Sequence, residues 1–340
     1  MITIMLVLVA QCLWAGTKIF PLQGINKPGQ LIYMDKDHLY AIEDASVFIY
    51  SVKDFKLVKK FGKKGQGPQE FATSAEMGAI GQLSMDVQTD RLMVRCVTKI
   101  SWFTKDGKFI TEQKLPPLLL LQLIPFGKNY IGQKYEAGNI RYNVLAAYNE
   151  KFEQLKEFSR HEDQFQLGKG LKVLKDNLAQ VVYKDKLYMA WENELKIKVI
   201  DTNFKELLTI TYPQKRTKVT AQDQKEIIEL IKTSPETKQY FELLKPITFP
   251  DYYPAIMQMF VTGDKVYVMT FNTQEEPNKG VNKYETLVFD LKGKFVKTFM
   301  CPTKMQDPLR PYPMIIHEGK LYQLIENEDD ESWEVHITDL

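Results

Sequence analysis

Among the 340 residues, few side chains have the type and spacing that chemistry needs. Four histidines, His38, His161, His317 and His336, show neither the i, i+4 spacing of a helical zinc site nor a neighbouring cysteine pair. No Gly-x-Ser-x-Gly elbow occurs, which leaves a hydrolase of that type unsupported. The acidic run Glu326 to Glu331, interrupted by Asn327, lacks the spacing and glycine of an EF-hand and reads as a solvated hairpin loop. Three glutamines are more informative. Gln122, Gln180 and Gln258 fall at one place in successive repeat units, on strands expected to line a central channel, and Ser84 takes that place in another unit. Their amides suit a polar ligand or water, or can face one another. No carboxylate stands at those positions, and neutral amides alone hold a divalent cation poorly, so neither a metal nor another cofactor is expected.

A glycine-rich stretch, Phe61-Gly62-Lys63-Lys64-Gly65-Gln66-Gly67-Pro68-Gln69-Glu70-Phe71, has the look of a phosphate loop. The Walker pattern needs Lys and then Ser or Thr after its last glycine, where this chain has Pro68, a residue with no amide to offer. A structural reading is better. Gly62, Gly65, Gly67 and Pro68 form a short junction in which the backbone needs positive φ or close approach, and Lys63 and Lys64 form its solvated tip.

The elements that position these residues repeat along the chain. A strand, a tight turn and a second strand recur at Asp37-His38-Leu39-Tyr40, Asp90-Arg91-Leu92-Met93, Gly127-Lys128-Asn129-Tyr130-Ile131, Asp185-Lys186-Leu187-Tyr188, Asp264-Lys265-Val266-Tyr267 and Gly319-Lys320-Leu321-Tyr322. A second hairpin follows each of the first five, turning at Lys53-Asp54-Phe55-Lys56, Lys105-Asp106-Gly107-Lys108, Asn149-Glu150-Lys151-Phe152, Asp201-Thr202-Asn203-Phe204 and Leu291-Lys292-Gly293-Lys294. Two consecutive hairpins make one four-stranded antiparallel sheet. The expected fold is all-β, a six-bladed β-propeller of four-stranded antiparallel blades. The sixth unit stops at Leu340 one strand short, and Lys18-Ile19-Phe20-Pro21-Leu22 resembles the outer strands of other units, so the N-terminal segment is expected to close the ring.

One segment departs from the β pattern. From Thr220 to Lys245 apolar residues recur at helical spacing, predicting a helical hairpin inserted over 220–245 between blades 4 and 5, with Thr220 capping its first helix and Ser234 its second. Its amphipathic stripe makes it a cover over the propeller. Residues 1–16 carry no charge and read as an export signal, leaving 17–340 as the propeller. A lipid anchor at Cys12 is the weaker reading, because Gln11 sits where a lipobox wants a small residue. Cys96 and Cys301 would then remain, either free or paired. With 45 Lys and Arg against 43 Asp and Glu, nothing in the charge points to nucleic acid or an anionic membrane.

The junction Gly62 to Phe71 resembles the blade junctions, Gly-x-x-Gly-x-Gly-Pro-x-Glu-Phe, of exported six-bladed propellers of the NHL-repeat-like group common in Bacteroidetes. That resemblance implies fold and export, since the group has no single activity. The functional expectation is an exported binding or scaffolding module, periplasmic or at the cell surface, without a transmembrane helix in the mature chain. It would recognise a protein, peptide or glycan on one propeller face. The alternative is a propeller hydrolase or lyase with a metal site in the central channel.

Overall fold

The structure is a computed structural model that describes residues 17–73, 81–116, 120–174, 178–191, 193–274 and 282–340. The export-signal reading of 1–16, with Cys12, lies outside those residues. The fold is all-β, with six four-stranded antiparallel sheets among the described residues. In chain order, the first sheet comprises Ile32–Met34, His38–Glu43, Ser46–Ser51 and Leu57–Phe61. The second comprises Ser84–Val87, Arg91–Arg95, Lys99–Thr104 and Phe109–Lys114. Leu120–Phe126, Asn129–Glu136, Tyr142–Tyr148 and Gln154–Glu162 form the third. The fourth has Leu178–Tyr183, Lys186–Trp191, Lys196–Asp201 and Glu206–Thr211, and the fifth Gln258–Thr262, Lys265–Gln274, Asn282–Asp290 and Phe295–Thr303. In the sixth, Met314–His317, Lys320–Glu326 and Trp333–Asp339 come from the C-terminus, while Lys18–Leu22 adds the outer strand with Lys18 opposite Ile337 and Leu22 opposite Trp333.

Alternation within each strand explains how the sheets are arranged. In His38–Glu43, Leu39 and Ala41 pack with Leu324, Trp333 and Val335 of the sixth sheet, whereas Tyr40 and Ile42 pack with Leu92, Val94 and Phe103 of the second. One strand thus feeds two cores from its two faces, which is why the middle strands are apolar throughout rather than at every second residue. The same sharing joins second to third, third to fourth, fourth to fifth and fifth to sixth. Inner strands follow suit. Each first strand neighbours the next, and Ile32–Met34 also neighbours Met314–His317, so the series returns on itself. Sheets that stack face to face around a common axis with their first strands innermost form a β-propeller.

Turn chemistry recurs with the same period. In the second hairpins Asn149, Asp201 and Asp290 each accept two backbone N–H groups on Oδ1, from the residues two and four further on. One residue of each turn is left-handed, and it is Phe55, Gly107, Phe152, Phe204 or Gly293. A phenylalanine there is tolerated because its ring is drawn inward, as with Phe55, which sits 5.0 Å from Phe20 and 6.4 Å from Tyr322 between ring centroids.

Between the fourth and fifth sheets lies one α-helix, Ala221–Thr233. Thr220 caps it as expected, and Asp223 completes a capping box: the Asp223 N–H donates to Thr220 Oγ1 at 3.1 Å and the Thr220 N–H to Asp223 Oδ2 at 2.7 Å. The second expected helix does not form. Its stretch is turns and a single 3-10 segment, Lys238–Tyr240, and Ser234 closes the first helix instead of opening another. Two prolines account for this. Pro235 forces Ser234 out of helical geometry, to ψ 133°, and between Pro235 and Pro246 the Leu244 carbonyl is taken by the Leu171 N–H at 2.9 Å.

Candidate functional site

The helix does not lie on bare sheet surface. Ile227 and Ile231 pack with Val173, and around them gather Leu171, Leu244, Phe249 and Leu309, a small core of its own. Two attachments hold it. On one side Val219 and Tyr253 exchange backbone bonds with Asp251 and Thr217, and Thr217 Oγ1 donates to Asn272 Oδ1 of the fifth sheet at 2.7 Å. On the other, Ile247–Thr248 pairs in parallel with Gly170–Lys172, which belongs to the passage from third to fourth sheet. The insertion therefore bridges two sheet junctions.

Beneath it opens a cleft of about 420 Å³. Leu230, Ile231, Ser234 and Thr237 form the roof, and Met257, Gln258 and Phe271 of the fifth sheet form one wall. Gln30, Gln164 and the segment Leu309 to Pro311 complete it. All these junction segments lie where one sheet's outer strand passes to the next sheet's inner strand, so the cleft occupies that face of the propeller. Its chemistry is apolar wall with neutral amides at intervals, a surface suited to a ligand with both apolar and hydrogen-bonding parts. Glu236 and Arg310 stand at the rim, where the Ser234 hydroxyl holds the Glu236 carboxyl below its ordinary range.

The three expected glutamines separate into two places. Gln258 lines the cleft. Gln122 and Gln180 face one another: Gln180 Nε2 donates to Gln122 Oε1 at 2.7 Å and to Gln133 Oε1 at 3.2 Å, while Gln133 Nε2 donates to Asn143 Oδ1 at 3.0 Å. This amide relay spans the third and fourth sheets. Among the described residues, Gln180 Oε1 is buried with no hydrogen-bond partner.

A carboxylate does stand on the inner strand of the second sheet, two residues beyond the position that Ser84 shares with the glutamines. Ser84 pairs in register with Arg95, and Asp86 follows two residues later on the same face. Burial raises the Asp86 carboxyl to a pKa of about 6, against a smaller opposing pull from Lys105. Arg95 is only 2% exposed. Counting inner-strand positions at a single offset finds Ser84 but misses Asp86, and a charged residue on a strand's second position is unreadable without the register. Among the described residues, no three His, Cys, Asp or Glu side chains come together as metal ligands. Cys96 and Cys301 are free and buried in different cores, and burial pushes the Cys301 thiol up to about 12.

The glycine junction is closed from within. Gly62 has φ +87°, and a Cβ there would lie 2.5 Å from the Phe71 ring and 2.7 Å from the Ala45 carbonyl. Glu70 folds back so that the Gly67 N–H donates to its Oε2 at 2.9 Å, and Lys63 pairs with it at 3.0 Å. A carboxylate already fills the space that a phosphate would need. Pro68 and Gln69 make the turn, with Gln69 in the left-handed region at φ 61°.

No family model matches the chain, and no curated protein matches it. Solved structures do. A Bacteroides fragilis protein described as exported is similar over 96% of this chain and 95% of its own, at 14% identity and a TM-score of 0.57. The WD40 domain of Neurospora crassa Pan2 aligns over 92% of this chain and 89% of its own at 10% identity and a TM-score of 0.44. A catalytically inactive virginiamycin B lyase from Staphylococcus aureus, solved with quinupristin, aligns over 96% of this chain and 99% of its own at 10% identity and a TM-score of 0.42. At such identities the likeness concerns fold alone. No helix among the described residues is long and apolar enough to cross a membrane.

Proposed function

We propose that residues 17–340 are an exported six-bladed β-propeller, of the NHL-repeat-like kind, whose helix-covered face binds a peptide, protein or glycan. The blade count rests on the six four-stranded sheets and their six shared cores, and the domain limits on the pairing of Lys18–Leu22 with Trp333–Asp339. Export to the periplasm or cell surface rests on the uncharged segment 1–16. The observation that carries the binding reading is the cleft, a concave, mixed apolar and amide surface roofed by an element that the sheets themselves do not require. The alternative, a metal-dependent hydrolase or lyase, would need several hard ligands converging in the channel; the inner strands offer the Gln122–Gln180 amide pair and the Asp86 carboxylate, and among the described residues no three His, Cys, Asp or Glu side chains converge.

The test is a screen of the mature chain against peptide and glycan arrays, followed by titration of each hit. Saturable binding that falls at least tenfold in Leu230→Trp, which fills the cleft, and in Gln258→Ala supports the reading. Hits indifferent to both changes, or no saturable hit, would remove the cleft from consideration.

A further inference from the structure

The cleft beneath the helix is apolar over most of its lining, and its charges are already matched. Nine of the sixteen described residues that line it are apolar, among them Val173, Leu230, Met257, Phe271, Leu309 and Pro311. Of its two charged residues, Arg310 donates from Nε to Asp307 Oδ2 at 2.7 Å. Glu236 accepts from the Ser234 hydroxyl and lies within electrostatic reach of Lys27 and Arg310. The Thr237 hydroxyl donates to the Ile231 carbonyl at 2.6 Å, and Gln30 Nε2 donates to Gln306 Oε1 at 2.6 Å. Gln258 stands apart. It is half-buried in the wall, on the inner strand of the fifth sheet, and among the described residues nothing bonds to either end of its side-chain amide.

A primary amide offers one acceptor and two donors, and in an apolar wall it needs them filled. Water fills them while the cleft is open; a ligand that displaces the water must bring a donor and an acceptor of its own. In an extended chain the N–H and C=O of one residue point to the same side, as in an antiparallel pair where one residue exchanges both bonds with its opposite number. Such a residue can donate its N–H to the Gln258 carbonyl oxygen and accept from the Gln258 amide with its own C=O. Its neighbours' side chains then meet apolar wall, where burial favours them. A saccharide suits the cleft less. Each ring carries several hydroxyls, and those without partners would lose their water against apolar residues. A charged segment gains little either, because Glu236 and Arg310 are already compensated.

We propose that the cleft takes an uncharged, apolar peptide segment in extended conformation, and that Gln258 fixes it by two hydrogen bonds to the main chain of a single residue. This rests on the cleft being the binding site, and it narrows the ligand from peptide, protein or glycan to one chemistry. The apolar wall selects the side chains, and Gln258 sets their register.

The experiment screens the mature chain against capped tripeptides of Ala, Val, Leu and Phe, with maltotriose and chitotriose as saccharide arms and tripeptides containing Lys or Glu as charged arms. The tightest peptide is remade with a methyl group on one backbone nitrogen at a time, which removes one N–H donor and keeps the side chains. Saturable binding of uncharged peptides, none of either saccharide, and a loss of roughly tenfold at one N-methyl position are expected. Gln258→Leu should bind the parent peptide about fivefold more weakly and be indifferent to that N-methyl group. In the wild-type chain the side-chain amide resonances of Gln258 should shift saturably with the unmethylated peptide, and this measurement decides if Gln258→Leu does not fold. No saturable peptide, tighter binding of a saccharide or a charged peptide, an N-methyl loss that persists in Gln258→Leu, or Gln258 resonances that stay still would each overturn the proposal. Leu230→Trp separates its failure from that of the cleft itself. Hits that ignore Leu230→Trp would show that the cleft is not the site, whereas hits blocked by Leu230→Trp but untouched by N-methylation would keep the cleft and remove the Gln258 contact.

Discussion

Asp86 and Arg95 occupy one face of one hairpin, and their unlike environments make them separately testable. The Asp86 carboxyl titrates near 6 because burial disfavours its charged form, with Lys105 only partly opposing. In the unfolded chain it titrates near the ordinary value of 3.8. Below that value both states hold the proton and the residue contributes no difference. As pH rises towards 6 the unfolded chain ionises first, so stability falls across that window and the full penalty stands above it. Asp86→Asn should therefore leave stability unchanged near pH 3.5 and raise it by roughly 1–2 kcal/mol at pH 7.5, after allowing for partial solvent screening. Urea unfolding at the two pH values measures this. Equal stability of variant and parent at pH 7.5 would mean that the carboxylate finds a counter-charge, with Arg95 the first suspect. Glu70 is the contrary case, a carboxylate that the Gly67 N–H and Lys63 keep ionised, and it turns an apparent phosphate loop into a self-satisfied junction.

At the scale of elements, the helix Ala221–Thr233 shows where local signals suffice and where they stop. Thr220 was identifiable as its cap because a hydroxyl before an amphipathic run is a local feature. Thr220→Ala should cost about 1 kcal/mol, and faster amide exchange confined to the first helical turn, with the sheets unaffected, would show that the loss is local. Slowed or unchanged exchange there would mean that tertiary packing, not the cap, holds the turn. The stretch that follows has equally periodic apolar residues, yet Phe241 and Leu244 turn inward towards Ile231 and Val173 while Tyr240 and Leu243 remain exposed. Periodicity recorded which residues were apolar but not that Leu171, some seventy positions away, would claim the Leu244 carbonyl. The strands were legible for the opposite reason. Each hairpin carries its own turn chemistry, such as Asp201 accepting the N–H groups of Asn203 and Lys205, so its place is written within a few residues. The amides of the channel were legible as positions and not as partners, because whether Gln122 meets Gln180 or a ligand depends on the distance between two sheets.

At the scale of the whole molecule, stability depends on there being no break in the ring of shared cores. Where first and sixth sheets meet, the core combines residues from both ends of the chain: Leu22, Leu39, Tyr50 and Phe55 with Leu324, Trp333 and Val335. The Trp333 Nε1–H donates to the Asn26 carbonyl at 2.8 Å, and the Phe20 ring packs tilted against Phe55 with centroids 5.0 Å apart, so the strand Lys18–Leu22 is tied to its neighbours by side chains as well as by its ladder. Removing residues 17–22 would expose the edge of Trp333–Asp339 and uncover part of that core. An unpaired edge invites pairing with another copy, and the lost burial of Leu22 and Phe20 together amounts to roughly 3–5 kcal/mol. The truncated chain should melt well below the parent and associate in a concentration-dependent way, as read by calorimetry and sedimentation. A synthetic peptide spanning residues 17–24, added in trans, should restore the monomer and most of the melting temperature, because it can refill the same strand position. Pro21 fixes its direction: lacking an N–H, it fits opposite Glu334 only on the outermost strand, where one edge goes unpaired. A truncated chain that stays monomeric with an unchanged melting temperature would show that the ring closes without its N-terminal strand, and that the cores, rather than the ladder, hold the first sheet to the sixth.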